Sequence, residues 1–207
     1  MKILLVEDHS IVRYGVVRIL MGMSPGLSVD ECENFDDGLK LLGKTTYDLI
    51  IVDINVPHGG NIEMIRLIRL KQPAIKILIF SASDEKIYAL RYLREGADGY
   101  LMKDSPKQEF IDAVRSIVNN GKYVSANIRQ QMLHSLNQNE KSAGNPMMSL
   151  SNREIEVTEL LIQGRSIGEI AKIMNLHVST ISTYKMRIFK KFDVTNVIDL
   201  AEKRKRL

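Results

Sequence analysis

The fold is decided by the stretch Leu49-Ile50-Ile51-Val52-Asp53, which places an acid directly after four apolar residues. Three of the four are β-branched, and the stretch does not alternate with polar residues as a half-buried strand would. It predicts a strand covered by helices on both faces, which is the situation of a central strand in a parallel sheet. Asp53 then stands at the carboxyl end of that strand, on a rigid support.

Four more short apolar runs flank this strand and alternate with amphipathic stretches of helical period. The predicted strands are Ile3–Val6, Ser28–Glu33, Leu49–Val52, Ile75–Phe80 and Gly99–Met102. The predicted helices are Ser10–Met21, Phe35–Leu42, Ile62–Leu70, Glu85–Arg94 and Lys107–Val118. Five strands in alternation with five helices predict an α/β domain with a doubly wound, five-stranded parallel sheet.

After Gly121 the strand pattern ends, and a helical region follows a polar stretch. Residues 135–149 (SLNQNEKSAGNPMMS) predict a flexible linker, unless their two methionines pack on a neighbouring domain. From Leu150 the pattern is helical, with breaks at residues 164–166 and 175–178. We therefore predict an α/β domain at 1–121, a connecting helix or linker at 122–149 and a small all-α domain at 150–207.

Charge is distributed unevenly between these regions. Residues 1–121 contain 15 Lys and Arg against 17 Asp and Glu, whereas residues 122–207 contain 14 against 8. A basic second region suggests an anionic partner such as nucleic acid, although a basic face is also common without one. No apolar run is long enough to span a bilayer, no secretory leader is visible and Cys32 is the single cysteine. We therefore expect a cytoplasmic protein without membrane contact.

Side chains of complementary chemistry follow four of the five predicted strands. Glu7 and Asp8 follow the first, Asp53 ends the third, Ser81 follows the fourth and Lys103 follows the fifth. Because the carboxyl ends of parallel strands line one crevice, we expect these side chains to meet there. Carboxylates suit Mg²⁺ and would repel one another strongly without a cation between them. A carboxylate can also accept a phosphoryl group, while metal and lysine neutralise its charge.

Three further residues have simple structural interpretations. His9 and His58 lie near the predicted crevice, but no second nitrogen or sulfur ligand is spaced for a zinc site, so we expect surface histidines. Cys32 falls in the second predicted strand and is expected to be a small core residue.

The first 121 residues resemble a response-regulator receiver domain. The matching pieces are Val6-Glu7-Asp8-His9, Val52-Asp53-Ile54-Asn55-Val56-Pro57, Ser81-Ala82 and Gly96-Ala97-Asp98-Gly99-Tyr100-Leu101-Met102-Lys103. The resemblance implies that Asp53 is the phosphoacceptor. It also implies that Asp8 and the backbone carbonyl of Asn55 join Asp53 in binding Mg²⁺, with Glu7 acting mostly through water. The implied switch pair and phosphate contact are Ser81 with Tyr100, and Lys103.

Departures from the family pattern, and alternatives to it, also concern this site. Glu7 stands where Asp is also common, and Asn61 stands where glycine is usual, although Asn tolerates positive φ. A receiver kept only as a scaffold would be expected to lose an acid or the lysine, and neither is lost. Haloacid-dehalogenase-type phosphatases resemble the site in outline but need a second Asp at the position of Asn55, so we expect no enzyme.

The second domain divides into three predicted helices. Ser151 and Glu154 have the spacing of a capping box at the start of the first, and Ile167–Met174 forms the second. The third ends near Phe192 and has an apolar stripe of Ile181, Tyr184, Ile188 and Phe192. Its other side carries small hydroxyls, a methionine and cations: Ser182, Thr183, Lys185, Met186, Arg187, Lys190 and Lys191.

This domain is similar to the LuxR-type helix-turn-helix at residues 150–154, 169–171, 180–182 and 191–194. A receiver followed by such a domain resembles the NarL/FixJ class of response regulators. The resemblance implies that the third helix reads DNA, with base contacts early and phosphate contacts at the cations. The expected DNA-binding residues are Thr180, Ser182, Thr183, Lys185, Met186, Arg187 and Lys190. His177 replaces the usual serine cap, Ser182 a basic residue and Tyr184 a histidine, which puts the operator sequence in question.

These resemblances imply a two-component transcription regulator. A sensor histidine kinase would transfer a phosphoryl group to Asp53, shifting a pre-existing equilibrium towards a dimer or a freed DNA-binding face. Expected partners are double-stranded DNA, the kinase, a second copy of the chain on paired half-sites, and RNA polymerase. An alternative with the same architecture works through protein contacts without phosphorylation.

Overall fold

A computed structural model describes residues 1–59, 62–137 and 146–206. The chain forms two compact units, of which the first is Met1–Asn137. The described part of the second unit begins at Pro146. In the described part of the chain, no helix is both long and apolar enough to cross a membrane.

A five-stranded sheet forms the centre of the first unit. All its neighbouring strands are parallel, in the order β2-β1-β3-β4-β5. The strands are β1 (Lys2–Val6), β2 (Ser28–Cys32), β3 (Leu49–Val52), β4 (Lys76–Ser81) and β5 (Gly99–Met102). The central strand β3 is fully buried, as its unbroken apolar run predicts. The predicted doubly wound parallel sheet is therefore confirmed.

Five helices cover the two faces of this sheet. They are α1 (Ser10–Met21), α2 (Phe35–Leu42), α3 (Glu63–Lys71), α4 (Glu85–Arg94) and α5 (Lys107–Asn120). Alternate residues of each strand point to opposite faces, so the core divides into two apolar clusters. Helices α1 and α5 cover one cluster, and α2, α3 and α4 cover the other. Cys32 is buried, as expected for a small core residue.

A sixth helix extends the first unit beyond the predicted boundary at residue 121. Tyr123 bridges to Gly99 of β5, and α6 (Ala126–Asn137) then packs on α4. Ile128 is buried in the sheet's core, and Ser125 Oγ donates a 2.9 Å hydrogen bond to the buried Glu85. These contacts attach α6 to the first unit, which therefore ends at Asn137 and includes the first residues of the predicted linker.

The remainder of the predicted linker divides into a part outside the described residues and a short helix. Residues 138–145 lie outside the described residues. Residues Pro146–Ser149 form a short helix, α7, in which Met147 is fully buried and which packs on the later helix α10 (Val178–Phe192). Met147 therefore fits the alternative in which the methionines of the predicted linker pack on a neighbouring domain, because burying this apolar side chain is favourable.

Four longer helices complete the second unit: α8 (Asn152–Ile162), α9 (Ile167–Met174), α10 (Val178–Phe192) and α11 (Val197–Lys205). The predicted capping box of Ser151 and Glu154 is present, and Ser166 with Glu169 makes a second one. The buried core residues include Ile155, Val157, Leu161, Ile170, Ile181, Ile188, Phe192 and Leu200. Tyr184 is only partly buried, so the predicted apolar stripe of α10 is narrower than expected.

Candidate functional site

Asp53 lies directly after β3, where the sheet fixes its backbone. Its N–H donates to Val6 O at 3.0 Å, so the strand pairing continues into this residue. Its side chain is almost fully buried, and Oδ1 accepts a 3.0 Å hydrogen bond from the backbone N–H of Asn55. One carboxylate oxygen is thereby oriented by the loop that follows the strand.

Lys103 joins Asp53 to Glu7 across the sheet edge. The backbone N–H of Lys103 donates to Ser81 O at 2.9 Å, which fixes the residue at the end of β5. Its ammonium donates to Asp53 Oδ2 at 2.7 Å and to Glu7 Oε1 at 2.8 Å. Burial opposes the charge on Lys103, but the hydrogen bonds that it donates to Asp53 and Glu7 outweigh this effect and raise its pKa. Lys103 therefore contributes one positive charge to the site.

Asp8 and His9 complete a cluster of ligand atoms at this edge. One ligand atom from each of Glu7, Asp8, His9 and Asp53 can be chosen so that all lie within 4.8 Å of one another. His9 Nδ1 is 3.1 Å from Glu7 Oε1 and 2.9 Å from Asp8 Oδ1. The predicted acids and lysine therefore do meet. His9 is exposed, as expected, but it belongs to the cluster, which its sequence position alone did not indicate.

Ser81 and Tyr100, the predicted switch pair, meet at the residue Ser83. Ser81 is fully buried, and its Oγ accepts a 3.1 Å hydrogen bond from Ser83 N. Tyr100 is also buried, and its hydroxyl donates to Ser83 O at 2.7 Å. Burial raises the pKa of Tyr100, so its hydroxyl stays protonated and can donate. Asn55 reaches the same residue, with Nδ2 3.4 Å from Ser83 Oγ.

The loop after Asp53 contains a residue in the left-handed region that the sequence did not indicate. His58 has a φ of 63°, which is unusual for a residue other than glycine. Its Nδ1 lies 2.9 Å from Asp36 Oδ2, which brings the loop into contact with α2. Asn61, the departure expected to tolerate positive φ, lies outside the described residues.

Helix α10 places the predicted DNA-binding residues on one continuous surface. Met186, Arg187 and Lys190 are exposed, whereas the remaining four are half-buried: Thr180, Ser182, Thr183 and Lys185. His177 is the N-cap and makes no side-chain capping hydrogen bond, as its departure from serine implies. The hydroxyls of Ser182 and Thr183 donate to backbone carbonyls four residues earlier, at 2.9 and 3.0 Å.

Lys191 differs from its exposed neighbour Lys190. Its ammonium donates to Glu154 Oε2 at 2.7 Å and to Ser149 O at 3.0 Å. Burial opposes ionisation of Glu154, but the hydrogen bonds from Lys191 and Ser151 lower its pKa, so the pair is charged at neutral pH. The cations of α10 therefore divide into those that face solvent and one that holds α10 to α8.

Comparison with known protein families agrees with this division of the chain. Residues 3–115 match the response regulator receiver domain, and residues 148–203 match the bacterial regulatory proteins of the luxR family. The chain belongs to the response regulators, and it is a two-component response regulator of the NarL/FixJ class. This result confirms the family and the function that the sequence predicts.

Individual relatives match this protein over nearly the whole chain. The response regulator UvrY of Escherichia coli K12 is 31% identical over 96% of this chain and 91% of its own length. The response regulator GacA of Pseudomonas aeruginosa is 30% identical over 97% and 93%. RcsB of Salmonella enterica serovar Typhimurium, bound to a promoter in the presence of phosphomimetic BeF3⁻, has a similar fold. Its TM-score is 0.79 at 24% identity, covering 100% of this chain and 99% of RcsB.

Proposed function

We propose that Asp53 is the phosphoacceptor of this regulator and that its phosphorylation controls DNA binding by α10. The observation that carries this proposal is the direct contact of the Lys103 ammonium with the buried Asp53 carboxylate at 2.7 Å. An oxygen of Asp53 attacks the phosphorus of a phosphohistidine, a new P–O bond forms, and the kinase's imidazole departs. Lys103 stands beside the position where the phosphoryl charge arrives.

The charge of the site fits a divalent cation. Glu7, Asp8 and Asp53 would carry three negative charges, and among the described residues Lys103 is the cation bonded to them. Glu7 Oε2 is buried and lies 2.6 Å from the Lys103 ammonium. The angles of this approach are not those of a hydrogen bond, so Oε2 has no hydrogen-bond partner in the described part of the chain. We propose that these acids and the Asn55 carbonyl hold Mg²⁺. When bound, this ion would neutralise charge on the phosphoryl oxygens.

Ser81 and Tyr100 are proposed to respond to the phosphoryl group. Both side chains bond to Ser83, so if Oγ of Ser81 turned to donate its hydroxyl hydrogen to a phosphoryl oxygen, it would carry the acceptor of Ser83 N with it. The segment between β4 and α4 would then shift, and Tyr100 would move with its acceptor. The shift would be driven by the different contacts that the phosphorylated and unphosphorylated states make.

We propose that the protein is not a phosphatase. A phosphatase of the haloacid-dehalogenase type would need an acid two residues after Asp53, and Asn55 has an amide there. That amide faces Ser83 rather than acting as a proton donor to a leaving group. Only slow loss of the protein's own phosphate is expected.

For the second unit we propose sequence-specific binding to double-stranded DNA as a dimer in the cytoplasm. The exposed cations of α10 suit phosphates, and Met186 suits an apolar target such as a thymine methyl group. Ser182 and Thr183 already donate their hydroxyl hydrogens within the helix, so their free lone pairs would accept hydrogen bonds from bases. A two-fold dimer would place two copies of α10 on paired half-sites.

A phosphorylation and binding experiment tests the proposal. The full chain is treated with acetyl phosphate and Mg²⁺, and acid-labile phosphate and affinity for selected DNA are measured. Asp53→Asn is expected to abolish both the label and the change in affinity. Asp104→Asn, which changes an exposed acid outside the cluster, serves as the matched control and is expected to retain both.

Three outcomes would each contradict part of the proposal. If label entered the Asp53→Asn variant in the same amount, the acceptor would be another residue. If the unmutated chain were labelled but its DNA affinity did not change, regulation through protein contacts alone would be favoured. A chain that bound no DNA sequence in either state would instead contradict the role proposed for α10.

A further inference from the structure

His9 lies at the solvent-accessible edge of the acidic cluster. Its side chain is 67% exposed, whereas the side chains of Glu7 and Asp53 are 1% and 2% exposed. The imidazole can therefore turn in solvent, while the carboxylates below it are held in place. Its Nδ1 already lies 2.9 Å from Asp8 Oδ1, and that oxygen is buried without a partner in hydrogen-bond geometry.

The neighbouring cations leave this edge of the cluster free for another positive charge. Lys103 approaches Glu7 and Asp53, not Asp8. Arg13 donates to the backbone carbonyls of Glu7 at 2.7 Å and of Asp8 at 3.5 Å, and its guanidinium pairs with Glu31 and Glu33 rather than with the Asp8 carboxylate. In the described structure, Asp8 thus has the imidazole as its near neighbour.

We propose that His9 supplies a nitrogen ligand to the cation that binds here, so that the site selects Mn²⁺ and similar transition-metal ions over Mg²⁺. This inference rests on the cation site put forward above and goes beyond it, because it concerns the class of metal. Glu7, Asp8 and Asp53 supply the oxygen ligands, and His9 adds one ligand of a different chemistry.

The chemistry of the two kinds of ion gives the reason. Mg²⁺ prefers oxygen ligands and retains its water, so an available imidazole adds little to its binding. Mn²⁺ accepts the same carboxylates as Mg²⁺, but it is also the first member of the transition-metal series, whose later members bind imidazole strongly. An imidazole at the edge of three carboxylates therefore raises the affinity for Mn²⁺ more than that for Mg²⁺.

Metal titrations on the full-length chain test this selectivity. The dissociation constants of Mn²⁺ and of Mg²⁺ are measured separately for the unmutated chain, for His9→Ala and for His9→Gln. Removing the ligand is expected to weaken Mn²⁺ binding roughly 10-fold and to change Mg²⁺ binding less than about 2-fold. His58→Ala is the matched control, because His58 is also exposed and pairs with Asp36 rather than with the cluster.

Pulsed electron paramagnetic resonance of bound Mn²⁺ gives a readout that is independent of affinity. A ¹⁴N coupling from an imidazole is expected in the unmutated chain and in His58→Ala, and it should be absent in both His9 variants. If Mn²⁺ binds but shows no nitrogen coupling, or if His9→Ala keeps both affinities, His9 is not a ligand while the acidic site stands. If neither ion binds the unmutated chain, the cation site itself is refuted.

Discussion

Replacing Lys191 by Met should destabilise the second unit, although the side chain lies among the cations of α10, the helix proposed to bind DNA. The change keeps the length of the side chain and removes its charge. It also removes the 2.7 Å hydrogen bond to Glu154 and the 3.0 Å hydrogen bond to Ser149 O. Glu154 is only 4% exposed, so its carboxylate would be left buried without the ammonium.

The size of the effect lies between those of a buried and an exposed ion pair. Removing one partner of a buried pair costs about 3–5 kcal/mol. An exposed pair contributes about 0–1 kcal/mol. Water reaches Lys191, which is 35% exposed, and Glu154 would keep its capping hydrogen bonds to Ser151. We therefore expect a loss of about 2 kcal/mol, and for so small a unit a fall in Tm on the order of 10 °C.

The assay must report on the second unit within the full chain. Urea unfolding is followed by pulse-labelling hydrogen exchange in peptides from α8 and α10, so that the transition belongs to this unit. Lys190→Met is the control, since it removes the same charge from an exposed position and should cost less than about 0.5 kcal/mol. Equal losses in the two variants would refute the assignment of Lys191 to the contact with α8.

The difference in stability between the unmutated chain and Lys191→Met should depend on pH, and the direction of that dependence follows from the pKa of Glu154. The hydrogen bonds from Lys191 and Ser151 hold the pKa of Glu154 below its usual value, against the effect of burial. A carboxyl with a lowered pKa stabilises the fold above its unfolded pKa of about 4.3, and this stability is lost as the pH falls through the folded value. The difference between the unmutated chain and Lys191→Met should therefore narrow below about pH 4. A difference that stayed constant would argue against the ion pair as its cause.

Three further predictions concern the two sites and one helix. Lys103→Ala should not weaken Mg²⁺ binding, measured by titration, because the ammonium competes for the same carboxylates; it should uncouple phosphorylation from DNA affinity. Lys190→Ala should weaken binding to operator and scrambled DNA alike and reduce the salt slope by about one, whereas Ser182→Ala should relax preference at one or two base pairs, costing about 1–3 kcal/mol. Gly168→Ala should stabilise α9 by about 0.5–1 kcal/mol in urea unfolding, because an added Cβ meets nothing within 4 Å.

The sheet was predictable from sequence because its signals are local and strong. Leu49–Val52 and Gly99–Met102 have the bounds that their apolar runs predict, whereas β1 and β2 differ by one residue at one end and β4 differs by one residue at each end. The extent of the first unit was not predictable in the same way. Helix α6 belongs to it because Ile128 enters the core and Ser125 bonds to Glu85, and such distant contacts leave no periodic signal.

The cluster proposed as the phosphorylation site was predictable as a cluster because topology alone brings its members together. Glu7, Asp53 and Lys103 follow strands whose carboxyl ends share one edge of a parallel sheet. His9 was not predicted to join them, because its contacts depend on how the side chain turns after β1. Its position beside two acids was a signal in the sequence, but that signal could not separate a ligand from a surface histidine.

If Lys190 contacts DNA phosphate as proposed, neighbouring lysines of α10 contribute to binding and to stability separately, and temperature distinguishes the two roles. If the second unit has about 5 kcal/mol of stability, a loss of 2 kcal/mol still leaves about 99% of it folded at 25 °C. Lys191→Met should then bind DNA almost normally at 25 °C and lose affinity steeply on warming. Lys190→Ala lacks a phosphate contact at every temperature, so its deficit should depend on salt instead. A Lys191 deficit that was already full at 25 °C and vanished in high salt would make Lys191 a DNA contact.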